Sequence, residues 1–355
     1  EWKDGRIHSP MLWKGKLGNV PPSEAMAERR LRLLETKLAK LGMRDKYAAT
    51  IQADLDKGYA TKLSRQEAEE LRSKPHWFLP HFIVVHPDKP DRPRRVLDCA
   101  AKSQGVSLNS MLRRGPNNLA SLWGVLQRFK VHPFVIQADI TEMFSQVVIG
   151  PDDRYMLAFL WKEDPRQAEP DVYVNERRVF GAKDSPSGAI NALLVAIALF
   201  APQWLDCCKR EFYMDDWFHG DVSEAEVIRA CKEVAEALKK AGFVLRKWAS
   251  NSKVVLKGLP KEDWAPPFVK IDDKDGGSPL PTLKALGMRW DAENDTLGFS
   301  TRLKIEPPKD VAQALSQLVL VPLLYWPLES WFPGTFDDDK VEQRARELWD
   351  RAEGV

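Results

Sequence analysis

Apolar positions recur along the chain with two periods, and the changes of period mark out the elements. Leu31, Leu33, Leu34, Leu38 and Leu41 follow a helical spacing between Ser23 and Gly42, which predicts a helix capped at both ends. Ser64-x-x-Glu67 opens a second, shorter helix as a capping box. Residues 78–85 are aromatic and β-branched, residues 86–93 are Pro-rich and charged, and 94–97 resume an extended pattern, so this stretch reads as a hairpin with a charged tip. Leu119, Leu122, Trp123, Leu126 and Phe129 return to helical spacing, and Phe134-Val-Ile-Gln-Ala-Asp139 reads as a buried strand ending in a carboxylate.

Downstream, the pattern predicts a helix over 186–200 and two short strands around a tight turn over 212–218. A helix follows, opened by Ser223-x-x-Glu226, closed by Gly242 and carrying Val227, Cys231, Val234 and Leu238 on one face; residues 243–245 and 254–256 read as extended. From residue 134 the order is strand, helix, hairpin, helix, strand, the split βαβ unit of ferredoxin-like folds. Residues 258–284, rich in Pro, Gly, Asp and Lys, read as a surface insertion. Residues 286–290 and 297–300 flank a turn at 292–295 as a further hairpin, and the tail from Pro307 reads as helical in two pieces. No internal repeat is present.

Composition narrows the classes. A chain of 355 residues with 44% hydrophobic and 29% charged positions is not a disordered one and has room for two or three compact units. Its 53 Lys+Arg against 51 Asp+Glu leave a net charge of +2, so any nucleic-acid surface must be local; Arg113, Arg114, Arg128 and Lys130 are candidates for a phosphate track. The four cysteines, Cys99, Cys207, Cys208 and Cys231, show neither CxxC pairing nor a His at zinc-finger spacing, which suits a reducing compartment. The longest apolar run, around residues 192–202, falls short of the ~20 residues that a bilayer span needs, so no membrane partner is expected. The chain starts at Glu1 with no signal-like segment, as expected of a domain cut from a longer polypeptide.

The chemistry lies in acids. Asp139 ends a strand and Asp215-Asp216 sits at a hairpin turn, and strand pairing in a ferredoxin-like unit can bring them together. One strand-end Asp is ordinarily a turn cap. Three converging carboxylates form a hard-cation site, in which two divalent ions ~3.5–4 Å apart can activate a hydroxyl and stabilise a leaving pyrophosphate; oxygen donors suit Mg²⁺, with Mn²⁺ as a substitute.

Tyr213-Met-Asp-Asp216 resembles the catalytic motif of reverse transcriptases. Around it, Ala138-Asp-Ile-Thr-Glu-Met-Phe144 resembles the first carboxylate motif, Gly181-Ala-Lys-Asp-Ser-Pro186 the template- and nucleotide-contacting motif, and Leu286-Gly287 the primer-grip strand. Arg94-Arg-Val-Leu-Asp-Cys-Ala-Ala-Lys102, Ser107-Leu-Asn109, Gly115-Pro116, Phe144-x-Gln146, Pro151-Asp-Asp-Arg154 and Leu245-Arg-Lys-Trp-Ala-Ser-Asn251 are similar to the Pao/BEL class of LTR retrotransposons. The resemblance covers about residues 1–300. It implies an α+β, right-hand polymerase fold: an N-terminal extension (1–60), fingers (61–133), a ferredoxin-like palm (134–300, with a further fingers segment about 150–182) and a short or partial thumb (301–355).

The implied activity is that of an RNA-directed DNA polymerase, a nucleotidyltransferase that extends a primer on an RNA or DNA template with dNTPs. Protease, RNase H and integrase domains of a larger polyprotein are the implied partners, and the implied location is a cytoplasmic retroelement particle or the nucleus. The resemblance assigns Asp139, Asp215 and Asp216 to the metals, with Asp216 the more peripheral. It assigns Arg94 to the incoming triphosphate, ahead of Lys89 and Arg92, and Phe144 to a steric gate beneath the sugar, where core packing is the alternative for any single Phe. Gly181, Ser185 and Pro186 are assigned to the nucleotide, and Tyr213, Met214, Leu286 and Gly287 to primer and template, although an aromatic–Met pair in a strand also simply packs. Lys247 falls where a lysine protonates pyrophosphate; Arg246 or plain solvent exposure are its alternatives. Phe180 stands where many retroviral enzymes have Gln, and Asp337-Asp-Asp339 reads as a helix start. A domesticated, non-catalytic nucleic-acid-binding scaffold is the competing reading, which loss of any triad acid would favour; all three are present. A two-metal nuclease would leave Phe144, Arg94 and Ser185-Pro186 without a role.

Overall fold

The computed structural model describes residues 1–18, 20–86, 89–265, 282–285, 288–292 and 295–299. The expected thumb, the tail from Pro307 and Leu286-Gly287 lie outside the described residues.

The first layer is built from α1 (Glu24–Leu41), α2 (Arg44–Asp56), β1 (Ala60–Lys62) and α3 (Arg65–Ser73), followed by the hairpin β2 (His81–His86) and β3 (Lys89–Leu97). Gly42 ends α1 in the left-handed conformation at φ +62°, and Ser64 and Glu67 form the full capping box of α3. Helix α4 (Leu122–Val131) then leads into β4 (Phe134–Ile140), and β5 (Ala158–Trp161) and β6 (Asp171–Asn175) return to the first layer, where the strand order is β1-β6-β5. Leu38, Tyr47, Ile51, Leu71, Phe159, Trp161 and Tyr173 close a core there. His81 is part of it, hydrogen-bonded to the Tyr47 hydroxyl and to the Leu160 carbonyl, and burial lowers its pKa to about 3.

The second layer follows the strand–helix pattern from residue 134. After β4 come α5 (Ser185–Phe200), α6 (Leu205–Glu211), β7 (Phe212–Tyr213), β8 (Asp216–Asp221), α7 (Glu224–Lys240) and β9 (Leu245–Ser250). The antiparallel sheet order β9-β4-β8-β7 places the first and third strands centrally with the second and fourth at the edges, the ferredoxin-like arrangement. Alternation along β4 directs Ile136, Ala138 and Ile140 into the core under α5 and α7. Val135 joins Phe129, Phe218 and Trp290 on the other face, where α4 packs. Among the described residues no helix is long and apolar enough to cross a membrane.

Several boundaries differ from the sequence pattern. Residues 254–256 are not extended: Ser252 Oγ accepts hydrogen bonds from the Val254 and Val255 amides and starts a short helix, Lys253–Lys257, that buries Val255 and Leu256. Leu119 precedes α4, because Ser121 caps that helix through the Gly124 amide, and Trp123 is exposed. Ser223 makes only the forward half of a capping box, while Glu226 pairs with Arg229 instead. Within the expected insertion, β10 (Thr282–Ala285) pairs with β11 (Met288–Asp291), which also forms the predicted hairpin with β12 (Thr296–Phe299).

Candidate active site

Antiparallel pairing of β8 with β4 sets Asp216 directly opposite Asp139. Tyr213 pairs with Asp216 across the turn, Met214 takes a left-handed φ of +55°, and the Asp215 carbonyl accepts from the Ile140 amide at 2.7 Å. The turn therefore presents Asp215 and Asp216 at the end of β4 where Asp139 lies. Gln137, one alternation earlier on β4, reaches Asp216 Oδ1 from 3.4 Å.

Among the described residues one cation enters this group. Strand β9 is bulged between Arg246 and Ala249, and Lys247 in the bulge has φ +57°, uncommon for a residue with a side chain. The bulge aims Lys247 Nζ at Asp139 Oδ1, 2.8 Å away. Arg246, although register-paired with Asp139, sends its guanidinium to Asp263 at 3.3 Å. Burial, then the Asp215 and Asp139 charges, push Asp216 up to about 7, and burial with Asp139 nearby raises Asp215 as well; Lys247 only partly offsets this. Among the described residues, three acids with one lysine form a site short of positive charge.

Phe144 sits in a 3₁₀ turn, Met143–Gln146, entered through Glu142 at φ +51°. Its ring is 8% exposed, belongs to the core under α5, and meets the exposed Phe180 ring edge-to-face at 4.4 Å. The turn is held from outside: Lys57 Nζ and the Tyr59 hydroxyl donate to Glu142 at 2.6 and 2.8 Å. Buried Gln146 donates to the Tyr59 hydroxyl and to the Thr141 and Glu142 carbonyls, and accepts from Arg6. Gln146 is thus a bracket for Phe144, a role that the Phe-x-Gln spacing alone does not reveal.

On β3, alternation separates two neighbouring arginines. Arg94 is exposed, whereas Arg95 is turned into the first layer, donating to Asp54 at 2.6 Å and Asn175 at 3.2 Å above the Phe159 ring. The segment 181–186 is strapped down on both sides. Gly181 has φ +94°, and an added Cβ would come 3.1 Å from the Leu97 carbonyl, so only glycine fits there. Asn109 donates to the Gly181 carbonyl and accepts from the Lys183 amide, at 2.9 and 2.7 Å. Asp184 and Arg178, both fully buried, pair at 2.9 Å, and the same carboxylate accepts from the Leu12 amide. Ser185 is buried in the first turn of α5 while Pro186 is exposed. Tyr213 and Met214 are half-buried. Of the expected phosphate track, Arg113 and Arg114 are exposed, but Arg128 donates to the Arg210 carbonyl and Lys130 pairs with Asp295.

No family model matches the chain, and no curated protein does. Among solved structures it is similar to the foamy viral protease–reverse transcriptase in complex with RNA/DNA hybrid, at a TM-score of 0.53 and 15% identity over 98% of this chain and 41% of that one. The same protein in complex with double-stranded DNA gives a TM-score of 0.53 and 16% identity over 98% and 63% of the two chains. A further double-stranded DNA complex, of its dRH form, gives 0.50 and 17% over 79% and 40%. The chain spans 40% to 63% of the length of these neighbours. The likeness establishes an α+β reverse transcriptase polymerase fold, whose ferredoxin-like palm is the second layer.

Proposed function

We propose that this chain is an RNA-directed DNA polymerase, of the Pao/BEL type of LTR retrotransposon, that extends a primer on an RNA or DNA template by two-metal nucleotidyl transfer. The observation that carries this reading is the convergence of Asp139, Asp215 and Asp216 at one end of the palm sheet. An all-oxygen donor set of three carboxylates, two of them raised by crowding and burial, fits hard divalent cations, Mg²⁺ or Mn²⁺. Held there, such ions would supply activation of the primer 3′-hydroxyl and charge stabilisation for the departing pyrophosphate. Asp139 and Asp215 would hold both, with Asp216 the more peripheral.

The remaining residues bind and orient. Exposed Arg94 pairs with the triphosphate, Phe144 lies beneath the sugar with Phe180 beside it, and Tyr213 and Met214 border the primer end. Gly181 and Pro186 shape the nucleotide loop; Ser185, being buried, acts through that loop's conformation. Lys247 pairs with Asp139 and would be placed to give a proton to the leaving pyrophosphate. Leu286 and Gly287 are proposed to steady the primer. Protease, RNase H and integrase domains as partners, and a cytoplasmic particle or the nucleus as location, remain part of this reading.

Primer extension on an RNA template with dNTPs and Mg²⁺ or Mn²⁺ tests the proposal; a folded chain that binds primer-template yet extends nothing is instead the non-catalytic scaffold. A sharper outcome separates the two arginines. Arg94→Ala is expected to raise the dNTP KM on the order of 10-fold, the loss of a charge-assisted phosphate contact, with the fold unchanged. Arg95→Ala is expected to lower stability instead, since Asp54 and Asn175 lose their partner. Single-nucleotide incorporation and thermal denaturation of both variants measure this.

A further inference from the structure

A second cluster of metal-ligating side chains lies on the helix-covered side of the palm, away from the acids. Cys207 and Glu211 stand one turn apart on α6, and His219 projects from β8 on the same side as Trp217, opposite to Asp216. His219 Nδ1 is 2.8 Å from Glu211 Oε2 and 3.8 Å from Cys207 Sγ, and the three donor atoms all lie within 4.8 Å of one another. The His219 and Glu211 side chains are 3% and 12% exposed, Cys207 is half-buried, and the Trp204 and Trp217 rings wall the imidazole at 5.8 and 5.3 Å. Among the described residues no Lys or Arg forms an ion pair with Glu211, which also accepts from the Trp217 indole N–H at 3.2 Å.

We propose that Cys207, Glu211 and His219 bind a divalent transition metal of the zinc class through Sγ, a carboxylate oxygen and Nδ1, with solvent in the fourth position. The donor set is decisive about the class: thiolate and imidazole suit Zn²⁺ and its neighbours, whereas Mg²⁺ and Ca²⁺ take oxygen. Charge agrees, since a thiolate, a carboxylate and a neutral imidazole sum to −2 and a divalent ion brings the enclosed site to neutrality. A tetrahedral ion with Zn–S ~2.3 Å and Zn–N ~2.0–2.1 Å requires Sγ and Nδ1 about 3.6 Å apart, near the 3.8 Å observed. The carboxylate must open from its hydrogen bond to a separation of about 3.4 Å, which its rotamers allow. In the metal-free fold Nδ1 donates to the Glu211 carboxylate; on binding, the ring proton moves to Nε2, which is buried without a hydrogen-bond partner among the described residues, and the Nδ1 lone pair turns on the ion. Burial and Glu211 keep the metal-free thiol protonated, and that proton leaves to solvent on binding.

The position gives such an ion a purpose. Glu211 immediately precedes β7 and His219 lies three residues beyond Asp216, so the ion would tie the helix before the Tyr213–Asp216 hairpin to the strand after it, bracing the base of the turn that carries Asp215 and Asp216. This does not depend on polymerase activity. The test equilibrates the full chain with Zn²⁺ or Co²⁺, removes excess ion, and reads stoichiometry, the absorption spectrum and thermal stability. One ion per chain, a thiolate-to-cobalt charge-transfer band and a zinc-dependent rise of several degrees in Tm are expected in the wild type and in Asp139→Asn. Cys207→Ser, and Cys207→Ala as a variant that buries no hydroxyl, should abolish the band and weaken Co²⁺ binding on the order of 100-fold or more. Absence of the band and of the Tm shift in the wild type, or a band that survives in both Cys207 variants, overturns the site.

Discussion

Asp215→Asn is expected to lower primer extension on the order of 10³-fold or more, a transition-state loss of at least ~4 kcal/mol, while making the metal-free protein more stable at neutral pH. The two effects share one cause. The acids are buried and crowded at one end of the sheet, and with no cation between them their charges oppose folding. Asp216 shows the sign most clearly. Its carboxyl titrates at about 7 in the fold against 3.8 in the unfolded reference, so between those values the native state holds the extra proton. Stability therefore falls as pH rises through that window, and above about 7 the whole penalty is present. Asp216→Asn removes it and should gain on the order of 2 kcal/mol at pH 8, less at pH 5, with Asp215→Asn moving in the same direction. Urea unfolding in EDTA at both pH values measures the gap. Equal stability at both, or extension by Asp215→Asn at the wild-type rate, would contradict a shared metal site.

The palm was legible because its order of periods is local information. Each strand and helix of the unit carries its own pattern, and the strand order β9-β4-β8-β7 follows from connecting them as a ferredoxin-like fold does. Where a side-chain cap decides the element, the pattern misleads: Val254, Val255 and Leu256 look like a strand, and Ser252 makes them a helical turn. The Lys247–Asp139 contact was out of reach for a similar reason, since it depends on a bulge that re-aims a side chain, and Arg246 is the residue that regular pairing would select.

Other motif residues turn out to be fasteners across long sequence separations. Asn109 holds the 181–183 loop, Asp153 accepts from the Met11 amide and the Trp13 indole, and Asn251 bonds the Val135 amide and the Pro133 carbonyl. Their spacing makes them recognisable, but a single sequence does not say which distant backbone group each will meet. The Cys207–Glu211–His219 cluster was missed because its members lie on a helix and on a strand with a hairpin turn between them, a spacing no zinc-finger pattern shares.

Sugar choice offers the second large effect. Phe144 is fixed on three sides: its backbone turns through the left-handed Glu142, Gln146 anchors the far end of the turn, and one edge of its ring abuts Phe180. A ring so confined cannot swing aside when a 2′-hydroxyl approaches, and steric exclusion by an immobile group acts on the reactive pose more than on first contact with the nucleotide. Phe144→Val shortens the side chain at the position proposed to lie beneath the sugar and keeps a branched apolar group in the core beneath α5. The ribonucleotide-to-deoxynucleotide ratio of incorporation efficiency is expected to rise on the order of 100-fold. A loss of stability on the order of 1–3 kcal/mol is expected with it, because a largely buried ring is truncated. The overall deoxynucleotide rate should fall as well, since the proposed support beneath the sugar is lost. Phe180→Ala, which removes an exposed ring, should shift the ratio in the same direction but by less, through the freedom it gives Phe144. Single-nucleotide extension with matched dNTP and rNTP reads both variants. A folded, active Phe144→Val enzyme with an unchanged ratio would leave Phe144 as core packing alone and put the discrimination of sugars on another residue.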